Sequence, residues 1–374
     1  MTKSGKKKLT ISSKIFLVIN SFSIVTLLFA YLAPFVNPAK NAIPAMFGLF
    51  YPALFILNAF FVFYWILRLR YFFLFSFVTI LLGTGLFLEY LRFNKQKPVG
   101  VYKDALKVLS YNVRLFDQYK ATPGQEFFTR NSIFSLIKDE NPDVVCFQEF
   151  FHGNEKYFPT IGPFTEMVSI PYYHADYIKT VEDWRHYGIA TFSKYPIVNQ
   201  GSIHFNNSNT NSGIFTDIVF KKDTIRIFNL HLQSIHFSKA DYEFVSEFID
   251  PGVASNFSGS KVIWWKLKSA FKKRSEQAET VRQRIAESPH PVIVCGDFND
   301  TPASYVYRTI SKNLEDAFIE SGRGIGSTYA GDMPFLRIDY ILYSDRLEPY
   351  KFQKTKVDYS DHYPVSCFFK IKQE

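Results

Sequence analysis

The chain has 374 residues and a formal net charge of +9 at pH 7, and 18% of its residues are aromatic. The basic excess lies in residues 1–99, which hold eleven lysines and arginines and one acid, whereas the remainder is nearly balanced. This balance argues against a bulk basic surface for nucleic-acid binding in the C-terminal part and leaves room for a local basic patch.

Residues 1–92 are predicted to form a transmembrane region with three spanning helices, at about residues 15–35, 42–67 and 71–91. Each run is apolar and has the length that crosses a bilayer. The first run is too long for the apolar part of a signal peptide, and two more runs follow it. Pro44 and Pro52 could kink the second span or shift its start.

The distribution of basic residues predicts the orientation of this region. Five lysines precede the first run, and Lys40 alone lies in the loop after it, which places the N-terminus inside the cell. Three crossings then put the C-terminal domain outside the cytoplasm, although Arg92, Lys95 and Lys97 after the third run favour the opposite. The expectation is an integral, multi-pass protein whose partner is the lipid bilayer.

After a polar linker at residues 93–105, residues 106–372 are predicted to form a separate domain outside the membrane. Strand patterns occur at residues 106–113, 143–147, 188–192, 214–220, 224–230, 291–295, 337–343 and 363–370, and helical patterns at 126–139 and 261–287. This mixture predicts an α/β domain with two sheets. Cys146, Cys295 and Cys367 lie in apolar strand-like runs, which is typical of buried small hydrophobes.

Polar side chains gather where these predicted strands end. The segment Gly296-Asp297-Phe298-Asn299-Asp300 follows the apolar run 291–295, and alternation along an extended backbone is expected to place Asp297 and Asn299 on one side. The other strand-end residues are Asn112, Glu149, His231, Asp339, Asp361 and His362. Singly, each is more often a turn or cap residue. Together they describe an oxygen-rich site for a hard cation with acid–base groups beside it.

Five segments resemble the ordered motifs of the endonuclease/exonuclease/phosphatase superfamily, which includes deoxyribonucleases, apurinic-site endonucleases, neutral sphingomyelinases and inositol polyphosphate 5-phosphatases. They are residues 109–113, 144–149, 296–299, 337–340 and 360–365. Each motif is weak alone, but independent turn residues would not reproduce all five in order. The resemblance covers residues 104–372 and implies a four-layer α/β/β/α sandwich of two mixed sheets flanked by helices.

The resemblance also implies a metal site and therefore a metal-dependent hydrolase of phosphoester bonds. Glu149 would be the principal ligand of Mg²⁺, or of Mn²⁺, because a carboxylate suits a hard cation. Asn112 would lie beside it and touch metal or phosphate. Asp361 would help to hold the site or a second metal.

Five residues would carry the chemistry, which is in-line attack of water on a phosphoester. Asp297 would orient and deprotonate the water, and Asn299 would stabilise the transition state. His362 would contact the scissile phosphate while Asp339 fixes its tautomer. His231 occupies the position where family members carry a phosphate-contacting His or Tyr.

Three functions remain open. The protein could be a nuclease of nucleic acid, or a phosphodiesterase of lipid headgroups like the sphingomyelinases, whose version of one motif residues 229–234 resemble. It could also be a catalytically inactive binding module, which is disfavoured because every expected catalytic position is filled.

An insertion at residues 238–275 combines Trp264 and Trp265 with six basic residues: Lys261, Lys266, Lys268, Lys272, Lys273 and Arg274. As a helix it is expected to lie on a membrane surface or at the rim of the substrate cleft. The alternative is an ordinary packed helix with a solvated basic face.

Overall fold

The computed structural model of the protein describes residues 9–95, 104–120, 124–206, 208, 211–235, 257–331, 333 and 335–372. The α-helices are α1 Ile11–Leu32, α2 Ile43–Leu49, α3 Tyr51–Leu67, α4 Phe73–Leu82, α5 Thr84–Leu88, α6 Phe128–Glu140, α7 Ile161–Val168, α8 Phe257–Ala286, α9 Tyr305–Ile310 and α10 Ala317–Ser321. The strands are β1 Leu91–Phe93, β2 Leu106–Asn112, β3 Val144–His152, β4 Tyr172–Val181, β5 Arg185–Ser193, β6 Ile197–His204, β7 Ser212–Phe220, β8 Asp223–His231, β9 Val292–Asp297, β10 Glu315–Asp316, β11 Arg323–Ile325, β12 Asp339–Tyr343, β13 Leu347–Lys354 and β14 Val365–Ile371.

Two six-stranded sheets form the centre of the molecule. Their strand orders are β13-β14-β2-β3-β5-β4 and β10-β12-β9-β8-β7-β6. Both sheets are mixed, because β2–β3 and β8–β9 are parallel pairs and the neighbouring pairs are antiparallel. Three predicted site residues end strands of these parallel pairs: Asn112 in β2, His231 in β8 and Asp297 in β9.

Alternation along the strands sorts apolar side chains into three layers of core. In β2, Val108 packs between the two sheets, whereas Leu109 packs outward with Phe134 of α6 and Phe164 of α7. On the other side of the molecule, side chains of α8 and α9 cover the second sheet. The predicted four-layer α/β/β/α sandwich is therefore confirmed, and the three cysteines are buried within it as expected.

A buried amide pair joins the two sheets. Gln148 of β3 donates to Oδ1 of Asn229 in β8 over 2.7 Å, and Asn229 donates to the backbone oxygens of Phe147 and Ala190 over 3.2 and 2.9 Å. Both amide side chains are fully buried. Because buried amides without partners are costly, this pair fixes how one sheet is placed on the other.

The prediction of three spanning helices is wrong in its details. Among the described residues, α1 alone is long and apolar enough to cross a membrane by itself. Helices α2 and α3 bend by 72° at Phe50 and count at most as one further span. The predicted third span is divided at Gly83 into α4 and α5, of ten and five residues.

The N-terminal helices pack directly on the catalytic domain. Leu27 and Ala30 of α1 and Tyr51 of α3 form one apolar cluster with Tyr90 and Ala303. The predicted linker at 93–105 is wrong at its start, because residue 93 lies in β1, which pairs with β11. The later part of that linker, residues 96–103, lies outside the described residues.

Replacing Asn229 with leucine should lower the free energy of unfolding by at least about 2 kcal/mol, because Gln148 and two backbone oxygens lose a buried partner. Chemical denaturation of the full chain in detergent micelles measures the loss. Asn206→Leu, at an exposed turn, is the matched control. Equal stability of the two variants would contradict the role of the amide pair.

Candidate active site

The end of β9 places Asp297 at the edge of the second sheet. Its neighbour Gly296 has φ +143°, and a Cβ there would lie 2.0 Å from the carbonyl oxygen of Leu230 in β8. Glycine is required at this close approach. The parallel pairing then sets His231 beside Asp297, so both functional side chains lie at the same strand ends.

Asn299 reaches Asp297 by a turn rather than by alternation. The strand ends at Asp297, and Asn299 has a left-handed φ of +53°. Its backbone N–H donates to Oδ1 of Asp297 over 2.8 Å, and its amide donates to Oδ2 over 3.1 Å and to the carbonyl oxygen of Leu232 over 3.0 Å. The prediction that the two lie together is correct, but its reason was wrong. In this conformation Asn299 positions Asp297.

The first sheet supplies Asn112 from the end of β2 and Glu149 from within β3, one residue beyond the last residue of β3 that pairs with β2. A bulge between Phe147 and Phe150 interrupts the pairing of β3 with β5, and Glu149 within it has φ +48°. Bulges redirect side chains in this way near active sites. The amide of Asn112 donates to Glu149 over 3.2 Å and to Asp297 over 3.0 Å, and so connects the two sheets.

Asp339 and His362 form a buried carboxylate–imidazole pair. Asp339 lies opposite Asp297 in the antiparallel pairing of β12 with β9. Nδ1 of His362 lies 3.0 and 3.1 Å from the two carboxylate oxygens of Asp339. Burial opposes the positive charge of His362, but Asp339 and Asp297 outweigh it and raise its pKa to about 10. At neutral pH this imidazole is a cation that presents Nε2 to Asp297, 3.7 Å away.

Asp297 lies at the centre of the cluster. Nε2 of His231 lies 3.9 Å from Oδ2 of Asp297 and 3.6 Å from Oε1 of Glu149. Burial raises the pKa of Asp297 to about 6, against the opposing effect of His362. Burial likewise raises the pKa of Glu149, although a third of its side chain is exposed.

Asp361 lies apart from the centre of this cluster. Its carboxylate is 3.5 Å from the guanidinium of Arg114, which also donates to Asp117 over 2.5 and 2.7 Å. Residues 114–117 have left-handed φ values of 44–56°, and the buried ring of Phe116 holds this strained turn in place. The proximity of Arg114 was not anticipated, because its side chain arrives by this unusual turn.

Two hydroxyl residues that sequence reasoning missed hold the site together. Ser360 donates to the backbone oxygen of Asn112 over 2.8 Å and accepts from the N–H of His362 over 3.3 Å. Oγ1 of Thr328 accepts from the N–H of Asp339 over 3.0 Å. Ser360 precedes the Asp361-His362 pair directly, but Thr328 has no signal in the sequence.

The donor set fits a divalent cation. Glu149 and Asp297 offer carboxylate oxygens on either side of the Asn112 amide, and oxygen is the ligand that hard cations prefer. The raised pKa of each acid shows that nearby positive charge does not fully compensate its burial. A cation would lower that cost. Asp297, Asp339 and His362 also each offer one ligand atom within 4.8 Å of the others, although Nδ1 of His362 contacts Asp339.

The fold and this cluster define a hydrolase of phosphoester bonds. Residues 109–362 match the model of the Endonuclease/Exonuclease/phosphatase family, and the chain belongs to this family. Residues 13–90 match a domain of unknown function (DUF8431). No curated protein matches the chain.

Solved structures have the same fold at low sequence identity. An endonuclease/exonuclease/phosphatase family protein from Bacteroides thetaiotaomicron has 17% identity and a TM-score of 0.52, over 72% of this chain and 98% of that one. The human Nocturnin catalytic domain with bound sulfate has 20% identity and a TM-score of 0.51, over 72% and 95%. The protein of this family from Beutenbergia cavernae has 17% identity and a TM-score of 0.51, over 71% and 72%.

The charge of His362 makes a prediction about stability and pH. Its pKa in the folded protein, about 10, exceeds the value of about 6.5 expected when unfolded. The contribution of cationic His362 to the free energy of unfolding is therefore complete below about pH 6.5 and is lost as the pH rises through about 10. Without divalent cations, the difference in unfolding free energy between wild type and His362→Gln should shrink over this interval.

Denaturation of both proteins at several pH values between 6 and 10 measures this difference. The exposed His204→Gln variant controls for the loss of one histidine. A difference between wild type and His362→Gln that is constant over the interval would contradict the assignment of a cationic His362.

Proposed function

We propose that the protein is a membrane-anchored, Mg²⁺-dependent phosphodiesterase that hydrolyses its substrate by attack of water. One observation carries this proposal: hydrogen bonds or charges from both sheets converge on Oδ2 of Asp297. Such an arrangement keeps one buried carboxylate ionised and fixed in position, as a general base requires. A catalytically inactive binding module is disfavoured, because acid, amide and imidazole groups are all present and close together.

The proposed role of each residue follows from its charge state at neutral pH. Asp297, with a pKa of about 6, is ionised at neutral pH and remains basic enough to take a proton from water. Cationic His362 can donate from Nε2 to a phosphate oxygen, while Asp339 holds the other side of its ring. When bound by Glu149 and Asn112, Mg²⁺ would neutralise charge on the phosphate.

We propose Mg²⁺ as the cation, with Mn²⁺ as a substitute, because oxygen donors dominate this part of the site. Asp361, held by Arg114, is proposed to support the site from its edge. His231, between Glu149 and the centre of the cluster, is proposed to contact the phosphate.

The N-terminal helices support membrane anchoring. Along α1, the large apolar side chains of Ile11, Val18 and Phe22 are more than half exposed, as expected of a surface that faces lipid. Buried polar bonds join α1 to its neighbours: Asn20 donates to Ser76 of α4 over 2.6 Å and accepts from Trp65 of α3 over 2.8 Å. Such bonds hold helices together in membranes. We therefore propose that α3 and α4 enter the bilayer with α1.

The orientation follows from which end of α1 meets the catalytic domain. Leu27 and Ala30, in its last two turns, pack against Ala303 and Tyr90. Five lysines precede or begin the helix at its other end. With those lysines inside the cell, the catalytic domain is proposed to lie outside the cytoplasm.

A lipid headgroup is a second, narrower candidate for the substrate. It is favoured because α2 packs against both the catalytic domain and α1: a Cβ at Gly48 would lie 2.4 Å from the oxygen of Ala303 and 2.6 Å from Cβ of Ala33. With α1 in the bilayer, as proposed, this packing would hold the catalytic domain at the bilayer surface. The motif at residues 229–234 adds less, because Asn229 joins the sheets and the N–H of Gln233 donates to Gln277 of α8.

Asp297→Asn and His362→Ala should each lower the turnover of bis-p-nitrophenyl phosphate by about 10³-fold or more, because they remove the base and the phosphate donor. Steady-state kinetics of the full chain in detergent measure this. The control is Asp345→Asn on an exposed turn, which should retain wild-type turnover. Turnover within about tenfold of wild type in either variant would contradict the assigned roles.

Removal of divalent cations with EDTA should abolish hydrolysis, and added Mg²⁺ should restore it. Calorimetric titration of Mg²⁺ into the metal-free full chain should show binding that Glu149→Gln weakens. Activity that survives exhaustive chelation would contradict the metal requirement.

A panel of duplex DNA, single-stranded RNA, sphingomyelin, phosphatidylcholine and phosphoinositides as substrates then separates nuclease activity from lipid phosphodiesterase activity.

A further inference from the structure

The helix α8 extends beyond the catalytic core. Its thirty residues span about 45 Å. In its C-terminal half, Ala278 and Val281 pack on the second sheet. In its N-terminal half, Leu267 and Phe271 instead contact Ala45 and Met46 of α2. This half of the helix is therefore attached to the N-terminal helical region.

The buried face of α8 is fixed by an ion pair behind the active site. Arg274 is fully buried and lies 3.1 Å from the carboxylate of Asp300, and it donates to the carbonyl oxygen of Gln233 over 2.9 Å. Its predicted place on a basic surface is wrong. The Asp300 pair sets the rotation of the helix, because an unpaired buried guanidinium would be costly.

The opposite face of the N-terminal half carries a pattern of its own. Val262 and Ser269 are exposed at its border. Five further exposed residues fall within about 100° of the helix circumference at 3.6 residues per turn: Lys261, Trp264, Trp265, Lys268 and Lys272. We call these five residues the Trp–Lys face. Trp264 and Trp265 are 39% and 55% exposed, which is unusual for residues with such large aromatic side chains. Beyond Lys272 the same face becomes acidic at Glu276.

We propose that the Trp–Lys face lies on the surface of a bilayer that contains anionic lipids. Tryptophan prefers the boundary between headgroups and acyl chains, and lysines near it attract anionic headgroups. The proposal rests on the membrane anchoring of the proposed function. It commits to the bilayer because α2, which packs beside this half of α8, begins at Ile43 and is followed by Phe50, and both of these apolar side chains are exposed.

This contact would hold the catalytic site at a fixed position relative to the membrane. The buried side of the same helix holds Gln233, two residues after His231, and Asp300, three residues after Asp297. A helix fixed by lipid on one face and by Arg274 and Gln277 on the other restrains both strand ends of the site. Contact of the Trp–Lys face with lipid would therefore act on the position of the site through α8.

Nitroxide labels on the full chain in liposomes test the proposal. The three native cysteines are buried, so single cysteines can be introduced at chosen positions. Lys261→Cys and Lys268→Cys report on the Trp–Lys face, Val18→Cys on α1, and Val198→Cys on an exposed strand edge. Power saturation compares collision with oxygen and with a water-soluble nickel chelate. Wild-type turnover of bis-p-nitrophenyl phosphate shows that each labelled protein is folded.

The ratio of oxygen to nickel collisions at positions 261 and 268 should be at least about threefold higher than at 198 in vesicles with anionic lipid. The double change Trp264→Ser and Trp265→Ser should lower it to the value at 198. Aqueous values at 261 and 268 beside a lipid value at 18 would overturn this inference and leave the anchoring intact. An aqueous value at 18 would overturn both.

Discussion

The buried carboxylate of Asp297 is the constraint on which the site depends. An ionised acid in this position requires donors and positive charge, and they arrive from both sheets: Asn112 from one, Asn299 from the other, and His362 from the loop before β14. The two sheets must therefore be placed correctly before the acid can be accommodated. The Gln148–Asn229 pair fixes that placement a short distance along the strands. The geometry of the site consequently depends on how the two sheets pack on each other.

The same interdependence extends to the N-terminal region. Arg337, two residues before Asp339, is buried, ion-pairs with Asp316 and donates to the carbonyl oxygen of Glu89 over 2.9 Å. The hydroxyl of Tyr90 accepts from the N–H of Ala303, three residues after Asp300. The N-terminal helices thus pack behind the strand that carries Asp339 and behind the loop that follows Asp297, as one structural unit with the site.

Much of the site could be predicted because most of its residues lie where strands begin or end. Strand ends are visible as the boundary between apolar runs and polar residues, and parallel pairing brings such ends together. Strand alternation did not predict two local backbone conformations. A left-handed turn brings Asn299 to Asp297, and a bulge sets the direction of the Glu149 side chain. The places of Arg114 and Thr328 in the site could not be predicted, because backbone conformation rather than sequence pattern brings them there.

The sequence by itself determined an α/β domain with two sheets, the family motifs and the apolar character of the N-terminal region, because periodicity and strand-end chemistry are local properties of the chain. Tertiary structure alone decided which polar residues are partners. Arg274 reads as one more cation in a basic run, yet it is buried against Asp300. Similarly, the third apolar run reads as a span but is divided at Gly83. Such outcomes depend on what lies opposite each side chain in space, and spacing along the chain does not encode that.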